Sequence, residues 1–183
     1  MQHLLNVPNV LTLARIIMTP VIVYMVLSEQ AWFALALMVV AGVTDMLDGA
    51  IARYFNLRTT VGAYLDPMAD KIMLISLFVT LFIVGQVPLF VFLAIIFRDL
   101  IIVLGAITYE IVTHRLTMQP SFISKVTTFM QIVYVVLLLL NMAMVIPDML
   151  LQISMWITFV LTCASGLHYL VSWTGKAAKQ EKS

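Results

Sequence analysis

Charge is scarce in this chain. It has 10 Lys and Arg and 9 Asp and Glu in 183 residues, for a formal net charge of +1. A balance so close to zero gives no reason to expect nucleic acid as a partner, since neutralising a phosphate backbone takes clustered cations. The single cysteine, Cys163, cannot close an internal disulfide and reads as a packing residue of an apolar helix. No His and Cys cluster suggests zinc. There is no Ser- or Gly-rich linker, no low-complexity stretch and no repeat of about 20–50 residues. Nor is any polar segment long enough for a second domain, so residues 1–183 read as one domain. The first apolar run lacks a basic leading segment and a small-residue cleavage pattern, so a removable signal peptide is not expected.

What is abundant is apolar surface. Hydrophobic residues make up 63% of the chain, against roughly 45–50% in soluble domains. Runs long enough to cross a bilayer, which takes about 20 helical residues, recur at Val10 to Leu27, Ala31 to Arg53, Pro67 to Val84, Pro88 to Val112, Phe122 to Val145 and Met149 to Trp173. The fold class they predict is all-α, a polytopic membrane bundle of six transmembrane helices. At the start, Asn9, Thr12 and Arg15 recur at threefold spacing beside Val7, Val10, Leu11 and Ala14, which predicts a short N-terminal interfacial amphipathic segment. Trp32, Trp156 and Trp173 read as interface belts, and the 13 methionines as packing. The connectors at Ser28 to Gln30, Gly85 to Val87 and Ile146 to Asp148 contain no Lys or Arg. Arg53, Arg58, Arg115, Lys176, Lys179 and Lys182 fall on the alternate side. Basic loops stay in the cytoplasm, so both termini and the long polar turns are placed there.

Against this background Asp45, Asp48, Asp66 and Asp70 fall within one stretch, DMLDGAIARYFNLRTTVGAYLDPMAD. Asp45, Asp48, Gly49 and Ala52 stand at i, i+3, i+4 and i+7 and so share one face of the second helix. Gly62, Asp66 and Asp70 follow at i, i+4 and i+8 and stack likewise if the third helix starts near Thr60. Two short-connected antiparallel helices then bring both acidic faces to the same cytoplasmic depth. Four unpaired carboxylates at the centre of a bilayer would cost on the order of 10–14 kcal/mol, less near its edge. Bound divalent cations are the natural neutraliser, and hard oxygen ligands favour Mg²⁺ or Mn²⁺. An alternative for Asp66 alone is an N-cap followed by Pro67 at the first helical position. That alternative does not reach Asp45 and Asp48, which lie deep in the second run.

Written as a pattern the stretch is D-x2-D-G-x2-A-R-x8-G-x3-D-x3-D, and it resembles the signature of the CDP-alcohol phosphatidyltransferase family at every fixed position. The resemblance implies a membrane enzyme that transfers the phosphatidyl group of CDP-diacylglycerol to an alcohol and releases CMP. It implies two divalent ions, Mg²⁺ or Mn²⁺, held by Asp45, Asp48 and Asp66, with Asp70 as the general base and a further metal ligand. Asp45, Asp48, Gly49, Ala52, Arg53, Gly62 and Asp66 would surround the cytidine diphosphate. Arg53 also reads as a plain topology anchor at a cytoplasmic helix end. Membrane lipids as surroundings and a homodimer are further implications. So is a place in the inner or plasma membrane of a bacterium, with the site facing the cytoplasm.

Other charges lie outside the motif. Arg98 sits within the fourth run, where it either pairs with Asp99 or Glu110 or helps bind an anionic acceptor. Lys125 opens the fifth helix and either snorkels or, as the resemblance implies, meets the acceptor. Lys71 reads as an anchor or ion-pair partner. Arg115 extends the basic set, and His114 reads as part of a solvated turn. The opening NVPNVLTLAR is similar to that of glycerol-type family members, in which such residues border the mouth of the site. PSFISKVTTFMQI is more similar to the CMP-forming cardiolipin synthases than to the phosphatidylglycerophosphate synthases, because Ser124 rather than glycine precedes Lys125. Phosphatidylglycerol is therefore the expected acceptor, with glycerol 3-phosphate the alternative. A divalent-cation transporter is a more remote reading, since intramembrane acids also mark ion paths. Transport sites favour the midplane between internal repeats, and no inverted repeat is visible.

Overall fold

The computed structural model describes the backbone of residues 7–54, 60–113 and 121–180, and side chains within 12–45, 68–105 and 121–171. Among these residues there are six helices and no strand: α1 Val7–Leu27, α2 Ala31–Tyr54, α3 Thr60–Ile83, α4 Leu89–Thr113, α5 Phe122–Ala143 and α6 Asp148–Gln180. Each corresponds to one apolar run. Three ends differ from the apolar runs by three residues or more. α1 is continuous from Val7, so the amphipathic start, where described, belongs to the same helix as the first run. α3 begins at Thr60 and carries Asp66 and Pro67 in its interior, which removes the N-cap alternative for Asp66. α6 runs on to Gln180 through TGKAAKQ, whose Ala, Lys and Gln are strong helix formers even without burial.

Two helix ends close with the same backbone pattern. At the end of α3, Gln86 N donates to Leu81 O at 2.8 Å and Gly85 N to Phe82 O at 3.0 Å, with Gly85 at φ 75°. At the end of α1, Gln30 N donates to Met25 O at 2.9 Å and Glu29 N to Val26 O at 3.1 Å, with Glu29 at φ 60°. Both are Schellman closures, which satisfy terminal carbonyls by sending one residue into the left-handed region. Glycine occupies that position without steric cost in one case, and glutamate occupies it in the other.

The chain packs as two units. The first spans Met1–Gln86 and Val135–Ile146, with α1 against α2 and α3. Its α1 is two-faced: Leu13, Ile17, Val21 and Tyr24 are exposed, whereas Thr12, Arg15, Thr19, Ile22 and Val26 are buried. The buried face is polar toward the N-terminal end and apolar beyond, where Ile22 and Val26 join a core that includes Leu77, Phe78 and Leu81 of α3.

The second unit spans Val87–Tyr134 and Pro147–Ser183, with α4 against α6. Here polar side chains share the interior with the buried Val91, Ile95 and Tyr134. Thr127 and Gln131 of α5 and Thr158, Thr162 and Ser165 of α6 are buried, while Phe129, Ile132, Ile153, Trp156, Val160 and Leu167 are exposed. Thr127 Oγ1 donates to Leu161 O at 3.2 Å, and Gln131 Nε2 to Thr162 Oγ1 at 3.4 Å. Helices surrounded by lipid gain nothing from hiding apolar groups and hold together through small and polar contacts. Consistently, 122–143 of α5 and 148–171 of α6 are each long and apolar enough to cross a membrane. Cys163, expected in packing, is exposed on α6.

Candidate active site

The polar end of the first unit gathers three charges from three helices. Arg15 on α1 is almost wholly buried. Its Nη1 donates to Asp70 Oδ1 on α3 at 2.8 Å, and its Nη2 donates to Asp45 Oδ1 on α2. Asp45 of α2 and Asp70 of α3 thus share one guanidinium. The two carboxylates are 37% and 50% exposed, against 2% for the Arg15 side chain, so they form the accessible side of the cluster and the guanidinium its back. Thr19 Oγ1 donates to Arg15 O at 2.9 Å, so this stretch of the buried α1 face is hydrogen-bonded within itself.

The other motif residues lie on the same two helices, Asp48, Gly49, Ala52 and Arg53 on α2 and Gly62 and Asp66 on α3. Their side chains fall outside the described residues. Among those described, no group of three His, Cys, Asp or Glu is assembled. The described donors are of the type a hard divalent cation takes: Asp45 and Asp70 offer partly exposed carboxylates from separate helices, one oxygen of each accepting from Arg15.

The second unit holds the other expected cations. Arg98 is buried, and its bonds are internal: Nη1 to Asp99 Oδ1 at 2.6 Å, Nη2 to Ser124 Oγ at 2.6 Å, and Nε to Ser165 Oγ at 3.2 Å. Of the two readings of Arg98, pairing with Asp99 is the one the structure forms, and the guanidinium also ties α4 to α5 and α6. α5 starts at a capped end, because Ser121 Oγ accepts from Ser124 N at 3.2 Å, an N-cap bond to the third helical residue. Lys125, one residue on, is exposed. Arg115 and His114 lie outside the described residues.

Arg15, read from the sequence as bordering the mouth of the site, is the residue that contacts both Asp45 and Asp70. A signal was present, since an arginine in an apolar run must find an acidic partner or a polar cavity.

Six described helices, two of them long and apolar enough to cross a membrane, with carboxylates brought to one arginine from neighbouring helices, fit the class of membrane-associated helical proteins. Within that class the chain belongs to the CDP-alcohol phosphatidyltransferase family, whose family model matches residues 5–164. It is similar to a CDP-diacylglycerol–glycerol-3-phosphate 3-phosphatidyltransferase of Aquifex aeolicus, 34% identical over 177 residues and covering 96% of each chain. It is also similar to the CMP-forming cardiolipin synthase of Homo sapiens, 33% identical over 181 residues, or 90% of this chain. The match covers only 60% of the human protein's length. A Rickettsia felis protein of the glycerol-3-phosphate type is 31% identical over 170 residues, 90% of this chain and 93% of that one.

Proposed function

We propose that this enzyme transfers the phosphatidyl group of CDP-diacylglycerol to a glycerol-type alcohol with release of CMP, and that phosphatidylglycerol is the acceptor, giving cardiolipin. The observation that carries the transferase reading is the convergence of Asp45 and Asp70 from α2 and α3 at a half-open site. The choice of acceptor rests on PSFISKVTTFMQI around Ser124 and Lys125. Glycerol 3-phosphate is the second reading, favoured by the end-to-end match to the Aquifex aeolicus relative.

In the reaction the acceptor hydroxyl oxygen forms a bond to the phosphorus that bears the diacylglycerol. The bond from that phosphorus to the CMP oxygen breaks, and CMP leaves. Asp70 accepts the hydroxyl proton, a role that typically contributes about 10²–10⁴-fold. Asp45, Asp48 and Asp66, with Asp70, would hold two Mg²⁺ or Mn²⁺ ions, which when bound stabilise charge on the attacking and leaving oxygens. Gly49, Ala52 and Gly62 would let a nucleotide approach the backbone, because they carry little or no side chain, and Arg53 would offer a planar fork to its phosphates. On the acceptor side Lys125 presents an exposed ammonium and Arg115 adds a second cation. Arg98 supports acceptor binding by holding the first turn of α5 through Ser124.

In this reading all six helices cross the membrane, residues 1–183 act as one catalytic domain, and the enzyme works as a homodimer in a bacterial inner or plasma membrane with its site facing the cytoplasm. The test is purified protein in detergent with Mg²⁺ or Mn²⁺ and CDP-diacylglycerol, given phosphatidylglycerol or glycerol 3-phosphate in separate reactions. CMP and cardiolipin are expected in the first. Product in the second alone transfers the assignment to glycerol 3-phosphate, and no CMP with either alcohol removes the transferase reading.

A further inference from the structure

Asp45 and Asp70 come from different helices, yet one guanidinium from a third helix touches both. Arg15 Nη1 donates to Asp70 Oδ1 at 2.8 Å, and Nη2 donates to Asp45 Oδ1. Exposure falls sharply across the cluster, from 50% and 37% for the carboxylates to 2% for the Arg15 side chain. The cation therefore stands behind the acids, on the protein side, and leaves their open side to whatever enters the site. Thr12 and Thr19 flank Arg15 on the buried face of α1, and Thr19 Oγ1 fastens to the Arg15 carbonyl. We propose that Arg15 is a positioning residue for phosphatidyl transfer, a built-in counter-charge that bridges Asp45 and Asp70 and fixes their separation across α2 and α3. This inference rests on the transferase reading of the acidic segment.

Two properties of the guanidinium suit it to this task. Carboxylates close enough to share one cation repel each other, and α2 and α3 are held at this end only if that repulsion is offset. The planar fork of arginine reaches two acceptors in fixed directions, whereas a lysine ammonium is a point charge on a flexible stem. Arg15 also lowers the negative potential at the oxygens. A divalent ion is then bound less tightly than by bare carboxylates, while the group that receives the proton stays in place.

The two effects separate by substitution. Arg15→Gln removes charge and bridge together, so Mn²⁺ is expected to bind more tightly, by on the order of tenfold, while kcat falls. Arg15→Lys keeps the charge but not the fork, so Mn²⁺ affinity should stay within about threefold of wild type while kcat drops at least about tenfold, since small misplacements of reacting groups are costly. The measurements are Mn²⁺ titration by electron paramagnetic resonance on the full chain in detergent, and kcat and KM for CDP-diacylglycerol on the same preparations. Opposite movement of Mn²⁺ affinity and kcat in Arg15→Gln supports the proposal. Unchanged or weaker Mn²⁺ binding in Arg15→Gln overturns it, as does wild-type kcat in Arg15→Lys. If Arg15→Gln does not fold, Arg15→Lys decides alone: low kcat with near-normal Mn²⁺ affinity supports the proposal, and loss of both assigns Arg15 to the fold only. Absence of CMP release by the wild type would defeat the transferase reading instead, and the Mn²⁺ titrations would still test the counter-charge.

Discussion

Asp70 combines half exposure with a fixed contact to Arg15, so the proton acceptor proposed above has reach to a substrate and a defined direction. Replacing it by asparagine keeps the shape and the contact with Arg15 but removes the basic oxygen. Asp70→Asn is expected to lower kcat by about 10²–10⁴-fold with a much smaller change in CDP-diacylglycerol KM, measured by CMP release. Activity equal to wild type would take the base role away from Asp70. At this scale the sequence was informative where spacing alone decides. Asp45 and Asp48 share a face by helical geometry, and an apolar setting makes their cost evident. It was uninformative where a partner comes from another helix. No local pattern pairs Arg15 with Asp45 and Asp70, which are 30 and 55 residues away, or Arg98 with Ser124 and Ser165, which are 26 and 67 residues away.

Among the elements, the helix ends carry the clearest energetic statements. Gly85 sits at φ 75° with nothing within 4 Å of where a Cβ would be, so Gly85→Ala tests backbone conformation without a clash. A loss of about 1 kcal/mol is expected, read as a lower thermal midpoint in detergent. Glu29 occupies the equivalent place after α1 at φ 60°, and Glu29→Gly should stabilise by up to about 1 kcal/mol. A shift of the same sign for both substitutions would contradict the shared closure. Ser121→Ala removes the cap of α5 and should cost about 1 kcal/mol; because Lys125 lies in the next turn, KM for the acceptor should rise with it. Element positions were largely legible, because a run of apolar residues bounded by Gly, Pro and polar connectors leaves few places to end a helix. Pro67 is the exception. Local preference puts proline at a helix start, and here the helix begins at Thr60 and passes through Asp66 and Pro67, so the local signal does not set the start of α3.

At the scale of the whole molecule the family match over residues 5–164 spans all six helices in part or in full, and it makes divalent-cation dependence the simplest global test. EDTA is expected to abolish CMP release, Mg²⁺ or Mn²⁺ to restore it, and Ca²⁺ to restore it poorly, because Ca²⁺ takes more and longer oxygen contacts than a small carboxylate set provides. Undiminished turnover in EDTA would remove the metal reading.

The buried polar positions of the second unit also fix which mutations the protein can absorb. Along α5 and α6 the outward positions, Phe129, Ile132, Val160 and Leu167, meet a solvent with no shape of its own, and one apolar side chain there is as good as another. The inward positions, Thr127, Gln131, Thr158, Thr162 and Ser165, have neighbours to fit. A saturation library selected for folded protein should therefore drift freely among Leu, Ile, Val and Phe at these outward positions and hold the hydroxyls and the amide at these inward ones, the opposite of what a water-soluble bundle tolerates at its surface.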